Sequence, residues 1–202
     1  EESDACASTS DITITGGQIK AGSLIETKEE YHQPEYSGAG IGGATGHGNA
    51  TNITITGNAD VSAAGGYYAA GIGGGDDGNA TNITISGNAT ITNATGGSST
   101  DSYAGDGIHS GSVVKISGDT ITKATGGNAT GENSTGGSGI GGSFVNVTGG
   151  TISAAGGSGK SGGAGIASSG TISISNGEIE QATGGGATGE DGTRGRRTPS
   201  GQ

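Results

Sequence analysis

The sequence predicts an all-β protein: a single-stranded, right-handed parallel β-helix (β-solenoid) of about six coils, each of roughly 30 residues with three short strands. Three features of the sequence predict this fold: a recurring strand motif, a glycine-rich corner after it, and further apolar positions at constant places. NATNITITGNADV begins at Asn49, and the nearly identical NATNITISGNATI begins at Asn79. Repetition of this kind is typical of solenoids, in which each unit buries its apolar face only against its neighbours. The right-handed sense follows from the chirality of parallel crossover connections.

The composition excludes a broad, two-layered core. Hydrophobic residues make up 28% of the chain, 49 of the 202 residues are glycine, and Phe144 is the single phenylalanine. A chain this poor in large apolar groups offsets little of the entropy lost on folding. A stack of short coils needs only a narrow apolar interior, so the periodicity makes a folded structure possible.

The first strand of each coil alternates β-branched apolar residues with polar ones, which predicts a strand with one buried face. We expect the isoleucines to face inward and the threonines to face water, with Asn52 lying over Asn82 in a ladder of side-chain amides. The six segments are 12–15, 53–56, 83–86, 114–117, 145–148 and 172–175.

A corner and a second apolar position follow each of these segments. All six corners contain a pair of residues that tolerates positive φ: Gly16-Gly17, Gly57-Asn58, Gly87-Asn88, Gly118-Asp119, Gly149-Gly150 and Asn176-Gly177. The next apolar residues are Ile19, Val61, Ile91, Ile121, Ile152 and Ile179. Three positions later we expect an inward alanine, at Ala64, Ala94, Ala124, Ala155 and Ala182, with the preceding residue outside.

A third strand is predicted at a glycine-flanked isoleucine after a connection of variable length. The motif is AGIGG at 39–43 and 70–74, DGIHS at 106–110, SGIGG at 138–142 and AGIAS at 164–168. The sixth coil lacks this motif. We therefore expect residues 1–9 to be an N-terminal lead-in, residues 10–182 to form the β-helix, and residues 183–202 to be a Gly/Arg-rich tail or linker.

These units resemble the glycine-rich parallel β-helix repeats of secreted and cell-surface bacterial proteins. The matching stretches are ITITGGQIKA with GAGIGG (12–43), NITITGNADVSAAGG with AAGIGGG (52–75) and VNVTGGTISAAGG with GAGIA (145–167). Such repeats occur in adhesins, carbohydrate-binding domains and plain stalks. The resemblance therefore implies an extracellular or cell-surface location and leaves the function open.

Charge and motif content argue against several other functions. A net charge of −11 disfavours nucleic acid and anionic membrane surfaces, and no apolar run is long enough for membrane insertion. Cys6 is the only cysteine, so it has no partner in the chain for a disulfide. The three histidines fall in separate coils, although His109 lies close enough in sequence to reach Asp106. We therefore expect a protein that is not an enzyme and has no cofactor, with Ca²⁺ as a possible exception at Asp76 and Asp77.

The tyrosines are the strongest indication of a binding surface. All five lie in the connection before the third strand of the first three coils, where stacking should cluster them on one edge: Tyr31, Tyr36, Tyr67, Tyr68 and Tyr103. Asp101 and Asp106 accompany the last of them. Tyrosine rings stack on sugar rings, and hydroxyls and carboxylates bond sugar hydroxyls. We expect this edge to bind a polysaccharide or a cell-surface receptor, with simple packing between loops as the alternative.

Three further possibilities follow from the same pattern. The chain can be a structural spacer or self-assembling rod without a ligand, associating end to end or continuing into further domains of a longer chain. The outward Thr-x-Thr ranks resemble an ice-binding face, although Lys115 and Asn146 interrupt them. Nine Asn-x-Ser/Thr sequons are possible glycosylation sites: Asn49, Asn52, Asn79, Asn82, Asn88, Asn93, Asn128, Asn133 and Asn146.

Overall fold

The structure, a computed structural model, describes residues 8–22, 37–44 and 47–188, and the strands found there form one all-β unit. Twelve strands are present: β1 (Thr9–Gly22), β2 (Ile41–Gly42), β3 (Ala50–Ala64), β4 (Ile72–Gly73), β5 (Asn82–Ser86), β6 (Thr90–Thr95), β7 (Ile108–Ser117), β8 (Asp119–Thr125), β9 (Ile140–Val147), β10 (Gly150–Ala155), β11 (Ile166–Ile174) and β12 (Gly177–Thr183). No helix occurs in these described ranges.

The strands stack as coils of a β-solenoid, and the predicted fold class is confirmed. Every strand pair is parallel, and the register pairs each unit with the next, as in Ile53 with Ile83 and Ile83 with Val114. Coils of about 31 residues make about five turns. The six predicted first strands all form, and some run without a break through a corner, as β3 does.

The core is a set of ladders along the solenoid axis. The inward residues of the inner first strands are 0–1% exposed, among them Ile53, Ile85, Ile116 and Val147. Burying a side chain of this size contributes about 1.5–3 kcal/mol. Because these side chains are almost completely buried, each contributes close to its full share to the stability of the fold.

Each corner turns at one residue of positive φ, as the six permissive pairs predicted. These residues are Gly17 (φ 87°), Gly57 (66°), Gly87 (86°), Gly118 (85°), Gly150 (91°) and Asn176 (56°). Glycine bends the chain at such a corner without the steric cost that most side chains add to a left-handed conformation.

The alanine prediction is wrong in two coils. Ala63 and Ala154 are the buried residues, each 1% exposed, whereas Ala64 is exposed and Ala155 half-buried. Ala63 pairs with Ala94 across a register shift that follows Val61. From the second apolar residue to the buried alanine is two positions in these two coils and three in the coils that they pair with across a register shift. A bulge in the longer strand accommodates the additional residue.

The corners also carry polar ladders. The Asn82 side-chain amide donates to Asn52 Oδ1 at 3.0 Å, and the Asn52 amide donates to Asp11 Oδ1 at 2.9 Å, which confirms the predicted Asn52–Asn82 contact. At a neighbouring corner Asp119 is 1% exposed, and its carboxylate accepts the N–H groups of Ala89 (3.1 Å) and Ser117 (3.3 Å). Burial raises the pKa of Asp119, and the two backbone hydrogen bonds oppose that shift.

Candidate functional site

Two predicted tyrosines form a pair on the connection of the second coil. The rings of Tyr67 and Tyr68 meet edge to face, with centroids 4.2 Å apart and planes at 81°. The Tyr67 hydroxyl oxygen accepts the Thr100 N–H at 2.7 Å, and the Tyr68 hydroxyl donates to the Asp101 carboxylate. Equivalent connections of successive coils therefore lie beside one another, as stacking requires.

The pKa of the Tyr68 hydroxyl lies above its ordinary value. Burial raises the pKa of the Tyr68 hydroxyl, and the hydrogen bond to the Asp101 carboxylate raises it further. Tyr68 also has a φ of 60°, so the backbone here adopts a left-handed conformation that is uncommon for an aromatic residue. The ring itself is restrained by the hydroxyl bond to Asp101 and by its edge-to-face contact with Tyr67.

The remaining tyrosines are placed differently. Tyr103 is 69% exposed, and its backbone forms a bridge with Thr135 of the next coil. Tyr31 and Tyr36 lie outside the described residues. The structure therefore brings Tyr67, Tyr68 and Asp101 together and leaves the predicted cluster of five rings untested as a whole.

A cleft of about 320 Å³ opens beside Tyr68, between the second and third coils. Its polar side chains are Tyr68, Asp77, Asn79, Asp106 and His109, and alanine and glycine supply the other walls. A second groove of about 590 Å³ shares Asn79, Asp106 and His109 with the first and continues over the fourth and fifth coils. We call these two continuous depressions the third-strand groove.

His109 and Asp106 lie where the two parts of this groove meet. His109 Nδ1 is 2.7 Å from Asp106 Oδ2, and Asp106 Oδ1 accepts the Ser138 N–H at 2.5 Å. Burial lowers the pKa of His109, but the hydrogen bond to Asp106 and its negative charge raise it by more, so the net shift is upward. The carboxylate thus holds one ring nitrogen and leaves the other edge of the imidazole for a ligand.

The groove exists because the neighbouring coils have small residues at the position of His109. Gly141 pairs with His109, and Ala167 pairs with Gly141. A Cβ on Gly141 would overlap the Asp106 carboxylate. Glycine at this position therefore makes room for the histidine–aspartate pair and provides the floor of the groove.

The sequence predicted part of this site. Tyr68, Asp101 and Asp106 were expected in the binding surface, and Asp77 was a calcium candidate. His109 was recognised only as a residue able to reach Asp106, and Asn79 only as a sequon. The signal for His109 is a histidine in a rank that is otherwise glycine or alanine, three residues after an aspartate, as the motif DGIHS shows.

The two calcium candidates have different environments. Asp76 is 4% exposed, whereas Asp77 is exposed and has a φ of 51°. The pKa of Asp76 is raised by burial and by the neighbouring charge of Asp77, and the charge of His47 opposes that shift. Within residues 8–22, 37–44 and 47–188, no three His, Cys, Asp or Glu side chains converge as metal ligands. A calcium site here would depend on these two carboxylates and on backbone oxygens.

The outward threonine rank forms in register on the first strands. Thr13 pairs with Thr54, Thr54 with Thr84, and Thr84 with Lys115, which is followed by Asn146 and Ser173. Lys115 thus projects from the middle of the rank, and the ice-binding interpretation stays a prediction.

Several sequon asparagines hold neighbouring coils together. Asn49 Oδ1 accepts the Asn79 N–H at 2.9 Å, and Asn128 Oδ1 accepts the Ser158 N–H at 2.8 Å. A glycan on Asn82 would use the same nitrogen that donates to Asn52. These asparagines therefore have structural roles whether or not they are glycosylated.

Comparisons with known proteins add no further assignment. No protein-family model, curated protein or solved structure matches this chain. In the part of the chain that the structure describes, no helix is long and apolar enough to cross a membrane.

Proposed function

We propose that this chain is a non-catalytic extracellular or cell-surface module that binds a glycan, free or carried by a cell-surface receptor, in the third-strand groove. The observation that carries the proposal is the cleft of about 320 Å³ in which a fixed tyrosine lies near an Asp–His pair and an asparagine amide. Sugar-binding sites combine an aromatic face with a few oriented polar groups, because a sugar ring has apolar C–H faces and an equatorial rim of hydroxyls.

The polar groups of the groove suit sugar hydroxyls. The Asp106 carboxylate accepts hydrogen bonds, the Asn79 side-chain amide can donate and accept, and His109 offers a ring nitrogen that Asp106 does not hold. Because Asp106 is bonded to both His109 and Ser138, its position is set before a ligand arrives. A prearranged site loses less entropy on binding.

Charge favours neutral or amino sugars over acidic ones. The residues that line the cleft include the carboxylates of Asp77 and Asp106 and contain neither lysine nor arginine. The net charge of −11 adds a general repulsion of anionic polymers. We therefore expect uronate-rich or sulfated polysaccharides to bind poorly.

The non-catalytic part of the proposal is supported by the hydrogen bonds of the nearest hydroxyl group. The Ser110 hydroxyl, next to His109 in sequence, donates inward to the carbonyl oxygens of Ala80 (3.0 Å) and Thr81 (2.9 Å). It is therefore not aimed at the groove as a nucleophile.

Binding to an array of neutral, amino and acidic glycans tests the proposal. His109→Ala is the main variant, because Ala167 occupies the equivalent position of a later coil, so the stack tolerates alanine there. We expect it, and Tyr68→Ala, to weaken binding by about tenfold or more, or about 1.4 kcal/mol. Lys115→Ala, on the outward first-strand rank, is the matched control and should bind normally.

Two outcomes would contradict the site. If Tyr103→Ala abolishes binding while His109→Ala does not, the ligand lies on the exposed tyrosine edge instead of in the groove. If no neutral or amino glycan binds, the glycan proposal is wrong, and circular dichroism of the same sample shows that the chain was folded.

A further inference from the structure

Within residues 8–22, 37–44 and 47–188, the strands at the two ends of the stack each have one edge without a strand partner. Among the described residues β1 pairs only with β3, β11 only with β9, and β12 only with β10, whereas inner strands such as β3 have neighbours on both sides. An uncovered parallel edge presents unpaired N–H and C=O groups to any strand of matching register.

Apolar surface accompanies these edges. The inward isoleucines of the inner coils are 0–1% exposed, but Ile174 of the last coil is 41% exposed. Ile12, Ile14 and Ile19 of the first coil and Ile172 and Ile179 of the last are only partly buried. Both ends therefore expose the same ladder that the inner coils bury.

The two ends match each other in spacing. In the first coil the inward residues are Ile12, Ile14 and Ile19, and in the last they are Ile172, Ile174 and Ile179, with the same intervals of two and five residues. Both corners turn through one left-handed residue, Gly17 in the first coil and Asn176 in the last. A first coil placed on a last coil would thus continue all three isoleucine ladders.

The contact between the fourth and fifth coils shows how a shorter second strand stacks on one that is longer by one residue. There Ile152 pairs with Ile121 and Ala154 with Ala124, so Ser153 spans two residues of the longer strand. A first coil docked in the same way on the last coil would place Lys20 against Glu180 and Gln181. Gln18 would lie against Glu178.

The charges of the two ends are complementary at these positions. Lys20, Glu178 and Glu180 are all exposed, so their side chains are available at the ends of the stack. The resulting Lys20–Glu180 pair is attractive, and the Gln18 amide can donate to the Glu178 carboxylate. Complementary charge selects the partner and its orientation more than it adds affinity.

We propose that the 202-residue chain binds a second copy of itself head to tail, with β1 of one copy pairing in parallel with β11 and β12 of the other. The contact joins two different surfaces at opposite ends of the stack, so copies add in a line and form short filaments. Such filaments would repeat the third-strand groove along their length and increase avidity for a polymeric ligand. The association itself does not depend on glycan binding.

Analytical ultracentrifugation over a range of concentrations tests the proposal with four chains. We expect the wild type to show concentration-dependent mass, and Glu180→Lys or Lys20→Glu each to weaken association about tenfold or more. Glu132→Lys makes the same charge change on an exposed connection and should leave association unchanged. Thermal melts of each variant confirm that the stack is intact.

Mixing the two charge variants gives the sharpest result. In an equimolar mixture of Lys20→Glu and Glu180→Lys, every junction between unlike copies again joins opposite charges. Association should therefore be stronger in the mixture than in either variant alone. A head-to-head contact would not behave in this way. A wild-type monomer at all concentrations, an equal effect of Glu132→Lys, or no recovery in the mixture would overturn the proposal.

Discussion

Substitution of Gly107 by alanine tests the closeness of the stacked coils. Gly107 precedes the inward Ile108, and a Cβ there would lie 2.6 Å from Gly139 O, 2.7 Å from Ala94 O and 2.7 Å from Thr125 N. All three neighbours are backbone atoms, so relief requires the coils to separate by a few tenths of an ångström. Gly139 O is also the acceptor of the Ile108 N–H at 3.0 Å, so the same shift strains a hydrogen bond between coils.

The expected cost follows from these contacts. Overpacking of a tight interior costs about 1–3 kcal/mol, and weakening one hydrogen bond adds about 1 kcal/mol. The lower entropy of unfolded alanine offsets about 0.4–1 kcal/mol. We expect a net loss of about 1–3.6 kcal/mol, which in a chain of this size lowers the melting midpoint by about 2–14 °C.

Thermal unfolding followed by far-ultraviolet circular dichroism measures this loss. Gly16→Ala is the matched control, because a Cβ at Gly16 meets nothing within 4 Å, and its midpoint should stay close to that of the wild type. Equal midpoints for the two variants would refute the close approach of the coils at Gly107. If Gly16→Ala lowers the melting midpoint as much as Gly107→Ala does, the loss at Gly107 is not caused by the close approach of the coils.

Two further predictions concern pH. Because the pKa of His109 is raised, its pair with Asp106 stabilises the fold fully below pH 6.5, and this contribution is lost as the pH rises through the folded pKa. The difference in melting midpoint between the wild type and His109→Ala should therefore become smaller as the pH is raised. Asp119 has linkage of the same sign at lower pH: burial raises its pKa above 3.8, so the buried carboxyl favours the folded state when protonated, and stability falls as the pH rises through the folded pKa. The melting midpoint of the wild type should therefore rise relative to that of Asp119→Asn as the pH falls towards 3.8. A difference in midpoint that does not change with pH would contradict this.

The repeat pattern predicted the strands and corners because each depends on a few adjacent residues. Alternation of isoleucine with threonine identifies a half-buried strand, and a glycine or asparagine pair identifies a left-handed turn. The wrong alanines show the limit of such local rules. Ala63 is buried in place of Ala64 because a bulge in the pairing with the next coil sets the register, and the neighbour of a residue in the stack is about 30 positions away in sequence.

The binding site was harder to predict than the fold for a related reason. Tyr68 and Asp101 were expected on one edge from the stacking of connections, and their contact agrees with that expectation. His109 gains importance only because Gly141 and Ala167 in later coils leave space around it. The cleft is formed by residues of several coils, and no single repeat contains it.

The sequence alone determined that this chain forms a stack of parallel coils. Its few apolar residues recur periodically between left-handed corners, and only the narrow interior of stacked coils buries so small a set. Only the tertiary structure decided where polar side chains from different coils converge. Asp106 bonds to His109 in its own coil and to Ser138 in the next, and that second contact depends on the vertical register of the stack. Register is a property of neighbouring coils, so the fold is encoded locally and the site is not.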